Sequence, residues 1–108
     1  MATAQIRLIL DTTKPAAVQR VIAPILDAID ISQKSNAPYA KGGTEVVLET
    51  PLLADSWDGQ VFNLIRIAQY LGYGWHITGS IDDSISMTSE KFRFTGISWG
   101  CIEASTDE

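Results

Sequence analysis

The chain has 108 residues, of which 45% are apolar and 19% charged, and its formal net charge is −5. This length supports one core that buries roughly 65% of the surface of the unfolded chain, and the composition excludes a disordered protein. Residues 1–54 carry five Lys and Arg against five Asp and Glu, while residues 55–108 carry three against eight. Nucleic-acid binding is not expected, because it requires a concentrated basic surface.

The number of cysteines and the length of the apolar runs indicate the cellular environment that we expect for this protein. Cys101 is the only cysteine, so no internal disulfide can form and the spacing of a zinc site is absent. The apolar run near the N-terminus is too short for a secretory signal, and none of the apolar runs approaches the roughly 20 residues of a membrane helix. We expect a cytoplasmic protein without membrane contact, metal or cofactor.

Two early segments alternate between apolar and polar residues, as strands do. In "QIRLILD", Ile6, Leu8 and Leu10 share one face, and in "TEVVLET", Val46 and Leu48 share one face. We assign these residues to the core.

Two segments show the apolar spacing of amphipathic helices. The first follows a predicted cap at Thr12 or Thr13 and is expected to bend at Pro24, where a backbone donor is missing. The second follows Asp55 or Ser56 and should stop at Gly72 in a left-handed conformation. Three apolar residues of the second helix lie off its core stripe and indicate contact with a partner: Phe62, Ile67 and Tyr70.

The last third of the chain is β in character. "GWHITGSI" and "GISWGCIE" alternate, and a further strand is expected at residues 85–88. The predicted core side carries Trp75, Ile77, Ile81, Ile97, Trp99 and Cys101. The opposite side of the sheet should carry Arg7, Ile9, Glu45, Val47, Glu49, His76, Thr78, Ser80, Ser98 and Ile102.

This order of elements predicts a single α+β domain over residues 1–108. We expect a two-layer sandwich in which two helices cover one face of a four- or five-stranded, mostly antiparallel or mixed sheet, in the order β-α-β-α-β-β. Residues 31–43 are predicted to form a long loop, and residues 105–108 a loose tail. A ferredoxin-like variant follows if residues 31–35 form a strand.

His76, the only histidine, is the first candidate for an acid, a base or a ligand. A catalytic role requires a partner, for which Glu45 or Glu49 would have to lie on a neighbouring strand. Thr78, Ser80 and Arg7 could then bind polar groups of a ligand. A structural histidine is the competing interpretation.

Other candidate sites are weaker. Asp82 and Asp83 are typical of a turn and lack the further ligands of a calcium loop. Lys34, Tyr39 and Lys41 lie in the predicted long loop and could meet an anionic ligand or a second subunit.

Two functions follow from these patterns. The absence of a catalytic motif favours a non-catalytic homo-oligomer or protein-interaction module, acting through the outer sheet face or the second helix. The alternative is a small-molecule or enzymatic site on the outer sheet face around His76 with Glu45 and Glu49.

Overall fold

The computed structural model describes residues 2–29, 33–52, 56–80 and 84–105. It contains two helices, α1 (Pro15–Ala28) and α2 (Trp57–Leu71). The strands, in chain order, are β1 (Ala2–Leu10), β2 (Gln33–Pro38), β3 (Thr44–Leu52), β4 (Gly72–Tyr73), β5 (His76–Ser80), β6 (Ser84–Ser89), β7 (Lys91–Phe92) and β8 (Ile97–Ser105).

Six strands form one antiparallel sheet in the order β2-β3-β1-β8-β6-β5, and β4 pairs with β7 in a separate ladder. The predicted α+β class is confirmed, but the sheet is larger than predicted. The segment predicted as a long loop, 31–43, contains β2, which pairs with β3 from Gln33 to Pro38. At the other end, Ser105 still belongs to β8, and residues 106–108 lie outside the described part of the chain.

Alternate residues of the central strands build an inner face that both helices cover. Along β3, buried and partly buried residues alternate without exception. On β1, Ile6 pairs with Leu48 on one side and Ile102 on the other, and all three are fully buried. Ile22 of α1 and Leu64 of α2 belong to the same core. Each such side chain contributes about 1.5–3 kcal/mol by burial, and the opposite face of the sheet, the outer face, has no helix on it in the described residues.

Helix α1 starts where predicted, but its cap differs. Lys14 is the N-cap residue and makes no side-chain capping hydrogen bond, and Thr13 does not act as the cap. Thr12 Oγ1 accepts a hydrogen bond at 3.1 Å from the N–H of Lys14, the N-cap residue itself, so it does not cap the N–H groups of the first turn. The helix continues through Pro24, as the unbroken apolar spacing predicts. Its buried residues are Val18, Ile22 and Ile25.

Helix α2 is capped by Ser56, whose Oγ accepts a hydrogen bond from the Gly59 N–H at 3.1 Å. The alternative cap, Asp55, lies outside the described residues. The helix ends before Gly72, as predicted, but the left-handed conformation is wrong, because Gly72 is extended with φ −173°. Glycine is required there for a steric reason: a Cβ would overlap the carbonyl oxygen of Lys91 on β7.

An extra residue in β8 changes the faces that we predicted for its side chains. Ile9 pairs with Trp99 and Leu10 with Ile97, so Ser98 has no opposite residue on β1. Beyond such a bulge, the side chains exchange faces relative to a regular alternation. The residues beyond the bulge that we assigned to the wrong face are Trp99 and Cys101, which lie on the outer face, and Ile102, which lies in the core.

The edge strand β5 extends beyond the helical layer. Ile77 pairs with the buried Met87 and therefore lies on the inner side, as predicted. It is nevertheless 58% exposed, so it is not a core residue. Trp75 is half-buried against the core, and Ile81 lies outside the described residues.

Candidate functional site

The outer face carries an ion pair between two central strands. Arg7 Nη2 donates to Glu45 Oε2 at 2.8 Å, and this hydrogen bond raises the pKa of Arg7. The two side chains are 39% and 25% exposed, so the pair contributes roughly 1 kcal/mol or less to stability. Ile9, opposite Glu45 on this face, is only 6% exposed. Ile9 is therefore covered by its neighbours on this face.

Cys101 lies on the outer face opposite Arg7 and is buried. Its Sγ lies 3.6 Å from Ser86 Oγ and donates to Glu103 Oε1 at 3.4 Å. Burial raises the pKa of the Cys101 thiol, because the thiolate loses hydration. A buried thiol with a raised pKa is a poor nucleophile near neutral pH.

Alkylation of Cys101 by iodoacetamide is expected to rise at a higher pH in the native protein than in the urea-unfolded chain. The native state holds the thiol proton more tightly than the unfolded chain does. The protonated thiol therefore stabilises the native state at pH values below the pKa of Cys101 in the unfolded chain, and this contribution is lost as the pH rises through the pKa of Cys101 in the folded protein. Mass spectrometry reports only this site, because the chain has one cysteine. Coincident pH profiles for native and unfolded protein would contradict this expectation.

The structure does not bring His76 and the two glutamates together. His76 is exposed on β5 and pairs with Thr88 on β6. Glu45 and Glu49 lie on β3, and three strands, β6, β8 and β1, separate β3 from β5. At a strand spacing of about 4.8 Å, His76 is about 19 Å from either glutamate across the sheet. The predicted acid–base arrangement lacks the hydrogen-bond reach that it requires.

The other predicted ligand-binding residues are dispersed. Thr78 Oγ1 donates to the Ser86 carbonyl oxygen at 3.4 Å, on the edge hairpin. Tyr39 and Lys41 lie in the tight β2–β3 turn, which is closed by a hydrogen bond from the Gly42 N–H to the Tyr39 carbonyl oxygen at 2.9 Å. That turn is a hairpin connection and not a lid. The side chains of the two remaining candidates, Lys34 and Ser80, lie outside the described residues.

A groove of about 520 Å³ lies where β5 begins and β6 ends. Its walls are fixed by hydrogen bonds: Trp75 Nε1 donates to the Ala68 carbonyl oxygen at 2.9 Å, and Ser89 Oγ donates to the Tyr73 carbonyl oxygen at 2.6 Å. The same Ser89 Oγ accepts from the Lys91 N–H at 3.0 Å. The residues that line the groove are Gly74, Trp75, His76, Thr88, Ser89, Glu90, Lys91 and Trp99.

Within the part of the chain that the structure describes, four large apolar side chains are exposed, and all four lie between the start of α2 and β5 in the sequence. Ile77 is 58% exposed, whereas Ile67, predicted to lie off the core stripe, packs partly buried against the core. The exposed four are Phe62, Tyr70, Tyr73 and Ile77. These exposed apolar side chains lie on α2, β4 and β5.

The groove includes residues that the sequence did not indicate. Glu90 connects β6 to β7, and Lys91 is the first residue of β7. Trp99 reaches the groove because the bulge in β8 turns it outward. The sequence features that could have indicated this groove are Trp75 and Trp99. Whether these two side chains lie close together depends on the strand order, which the sequence does not give.

Within the described residues, no group of three or more His, Cys, Asp or Glu side chains could hold a metal ion. Asp82 and Asp83 lie outside those residues. Neither α1 nor α2 combines the length and apolar character needed to cross a membrane.

Comparisons with family models, curated proteins and solved structures found no match for this chain.

Proposed function

We propose that this protein is a non-catalytic homo-oligomer that self-associates through the edge of β5. The observation that carries this proposal is Ile77, a large apolar side chain that is 58% exposed on an edge strand. Among the described residues, the other exposed large apolar side chains, Phe62, Tyr70 and Tyr73, lie on α2 and β4.

The two edges of the sheet differ in how they are protected against pairing. The edge strand β2 contains Lys34 and Pro38, and lysine and proline are typical of edges that resist pairing with another chain. The edge strand β5 has the sequence HITGS, with no proline and no side chain that carries a permanent charge. An unprotected edge with an exposed apolar side chain supports strand pairing with a second copy.

An antiparallel pairing of β5 with its own copy has a favourable arrangement of side chains. With Thr78 on the two-fold axis, His76 of one subunit lies opposite Ser80 of the other. Ile77 then lies opposite Gly79, which leaves space for the larger side chain. A two-fold interface contains each of these contacts twice. The sheets of the two subunits would then form one continuous sheet across the interface.

The fold offers a reason for the exposed edge. The elements β1, α1, β2, β3, α2 and β8 have the order β-α-β-β-α-β, and we infer a ferredoxin-like core from them. In this interpretation the β5–β6 hairpin is an addition that extends the sheet beyond β8 and ends in the unprotected strand.

Substitution of Ile77 by lysine is expected to weaken self-association strongly, because each two-fold interface would then acquire two like charges in place of two apolar side chains. We expect wild-type protein to sediment at twice the mass of the chain, and Ile77→Lys to weaken association roughly 100-fold or more. Asn36→Lys is the matched control, since Asn36 is exposed on the inner side of the opposite edge strand.

Sedimentation equilibrium over a wide range of concentration measures this effect, with circular dichroism to verify the fold of each variant. Wild-type protein that remains monomeric at every concentration overturns the proposal. An equal loss of association in Asn36→Lys and Ile77→Lys overturns the assignment to β5.

A further inference from the structure

We infer that the groove at the start of β5 binds an uncharged sugar, of the size of a disaccharide. The groove shares His76 with the proposed contact but does not include Ile77, and the inference does not depend on that contact. Its volume of about 520 Å³ falls within the range of roughly 300–1,000 Å³ that is typical of small-molecule sites.

The walls of the groove are held in place before any ligand arrives. The indole of Trp75 is fixed by its hydrogen bond to Ala68 and by an edge-to-face contact with Phe92, with ring centroids 5.6 Å apart. Ser89 is 3% exposed and joins Tyr73 to Lys91 through its Oγ. A preformed site loses little conformational entropy when it binds a ligand.

Polar groups at the groove are free to bind a ligand. Within the described part of the chain, no hydrogen bond or ion pair involves the side chains of His76, Glu90 or Lys91, all of which are exposed. The indole N–H of Trp99 likewise has no hydrogen-bond partner among the described residues. The groove therefore presents donors and an acceptor beside two aromatic surfaces.

The charges of the groove select against ionic ligands. Glu90 and Lys91 cancel each other, so the lining has no net formal charge when His76 is neutral. An anion would meet Glu90 and a chain of net charge −5, and a cation would meet Lys91. An uncharged ligand with one apolar face and many hydroxyl groups fits this lining best. Pyranose rings have that character, since their C–H groups pack on indole rings while their hydroxyls bond to polar side chains.

The test uses cellobiose and maltose as probes, with NMR detection of the three indole N–H resonances. We expect the Trp99 resonance to shift in a saturable manner with a dissociation constant of about 0.1–1 mM. The Trp57 resonance is the internal control, because Trp57 lies in α2 and does not line the groove. Substitution of each tryptophan by phenylalanine assigns the resonances.

Two exposed carboxylates provide a matched pair of variants. Glu90→Gln removes a charged acceptor at the groove and should weaken sugar binding about threefold to tenfold. Glu103→Gln, on the outer face outside the groove, should leave it unchanged. Both positions are exposed, so neither variant is expected to disturb the fold.

Three outcomes overturn the inference. The first is the absence of a Trp99 shift with either sugar up to tens of millimolar. The second is an equal effect on Trp57, which indicates non-specific contact. The third is binding of the nucleosides adenosine or uridine in place of the sugars, which assigns the groove to planar aromatic ligands.

Discussion

Gly43→Ala is expected to lower the free energy of unfolding by about 3 kcal/mol or more. Gly43 lies at the end of the β2–β3 turn with φ 91°, and a Cβ there would overlap the carbonyl oxygen of Leu10. A residue with a side chain is strained at positive φ, which costs of order 1–3 kcal/mol. The overlap adds to that cost, because the turn would have to move away from the end of β1.

Gly42→Ala separates these two effects. Gly42 has φ 100°, but an added Cβ would meet nothing within 4 Å. This variant should therefore show the conformational cost alone, about 1 kcal/mol. Urea denaturation of both variants measures the difference, and equal losses of stability would contradict the close contact between Gly43 and Leu10.

Leu8→Ala is expected to lower the free energy of unfolding by about 2–5 kcal/mol, the range observed for cavities in closed cores. Leu8 lies on β1, pairs with Val46 and Gly100, and is fully buried. Leu26→Ala is the control, because Leu26 lies on α1 and is only partly buried. Its loss should be about 1–2 kcal/mol, since water can occupy part of the space.

The same urea experiment tests the position of the core. A loss for Leu8→Ala no larger than that for Leu26→Ala would contradict the placement of the β1 inner face beneath the helices.

The helices and the central strands could be predicted from the sequence because their patterns are local. The apolar spacing of α1 continues past Pro24, and the alternation of buried and partly buried residues runs through the whole of β3. The cap at Ser56 is likewise a local feature, since its partner, the Gly59 N–H, lies three residues along the chain.

The faces of β8 could not be predicted in the same way, and the sequence offers a strand near β2 only as an alternative to the long loop, at residues 31–35. Alternation defines two faces but not where a bulge exchanges them, and the bulge at Ser98 is set by pairing with β1. The edge strand β2 shows no apolar alternation, and its described side chains, from Ser35 to Pro38, are exposed. Backbone hydrogen bonds to β3 stabilise β2. Because these bonds do not depend on side-chain type, the sequence of β2 shows no pattern from which the strand could be predicted.

The candidate site depended on strand order, which a single sequence does not contain. The hypothesis for His76 required Glu45 or Glu49 on an adjacent strand, and the sheet separates them by three strands. The same strand order brings His76 to a groove with Trp99 and Lys91. By contrast, the exposure of Phe62 and Tyr70 was predictable, because both depart from the helical core spacing.

Amide hydrogen exchange at low and high protein concentration tests self-association through β5 most directly. We expect exchange of the amides in residues 76–80 to slow as concentration rises, because a second copy would supply hydrogen-bond acceptors to the open edge. Exchange in residues 33–38 of the protected edge, β2, should not change. Exchange in β5 that is independent of concentration, or slowing confined to β2, would contradict the proposal.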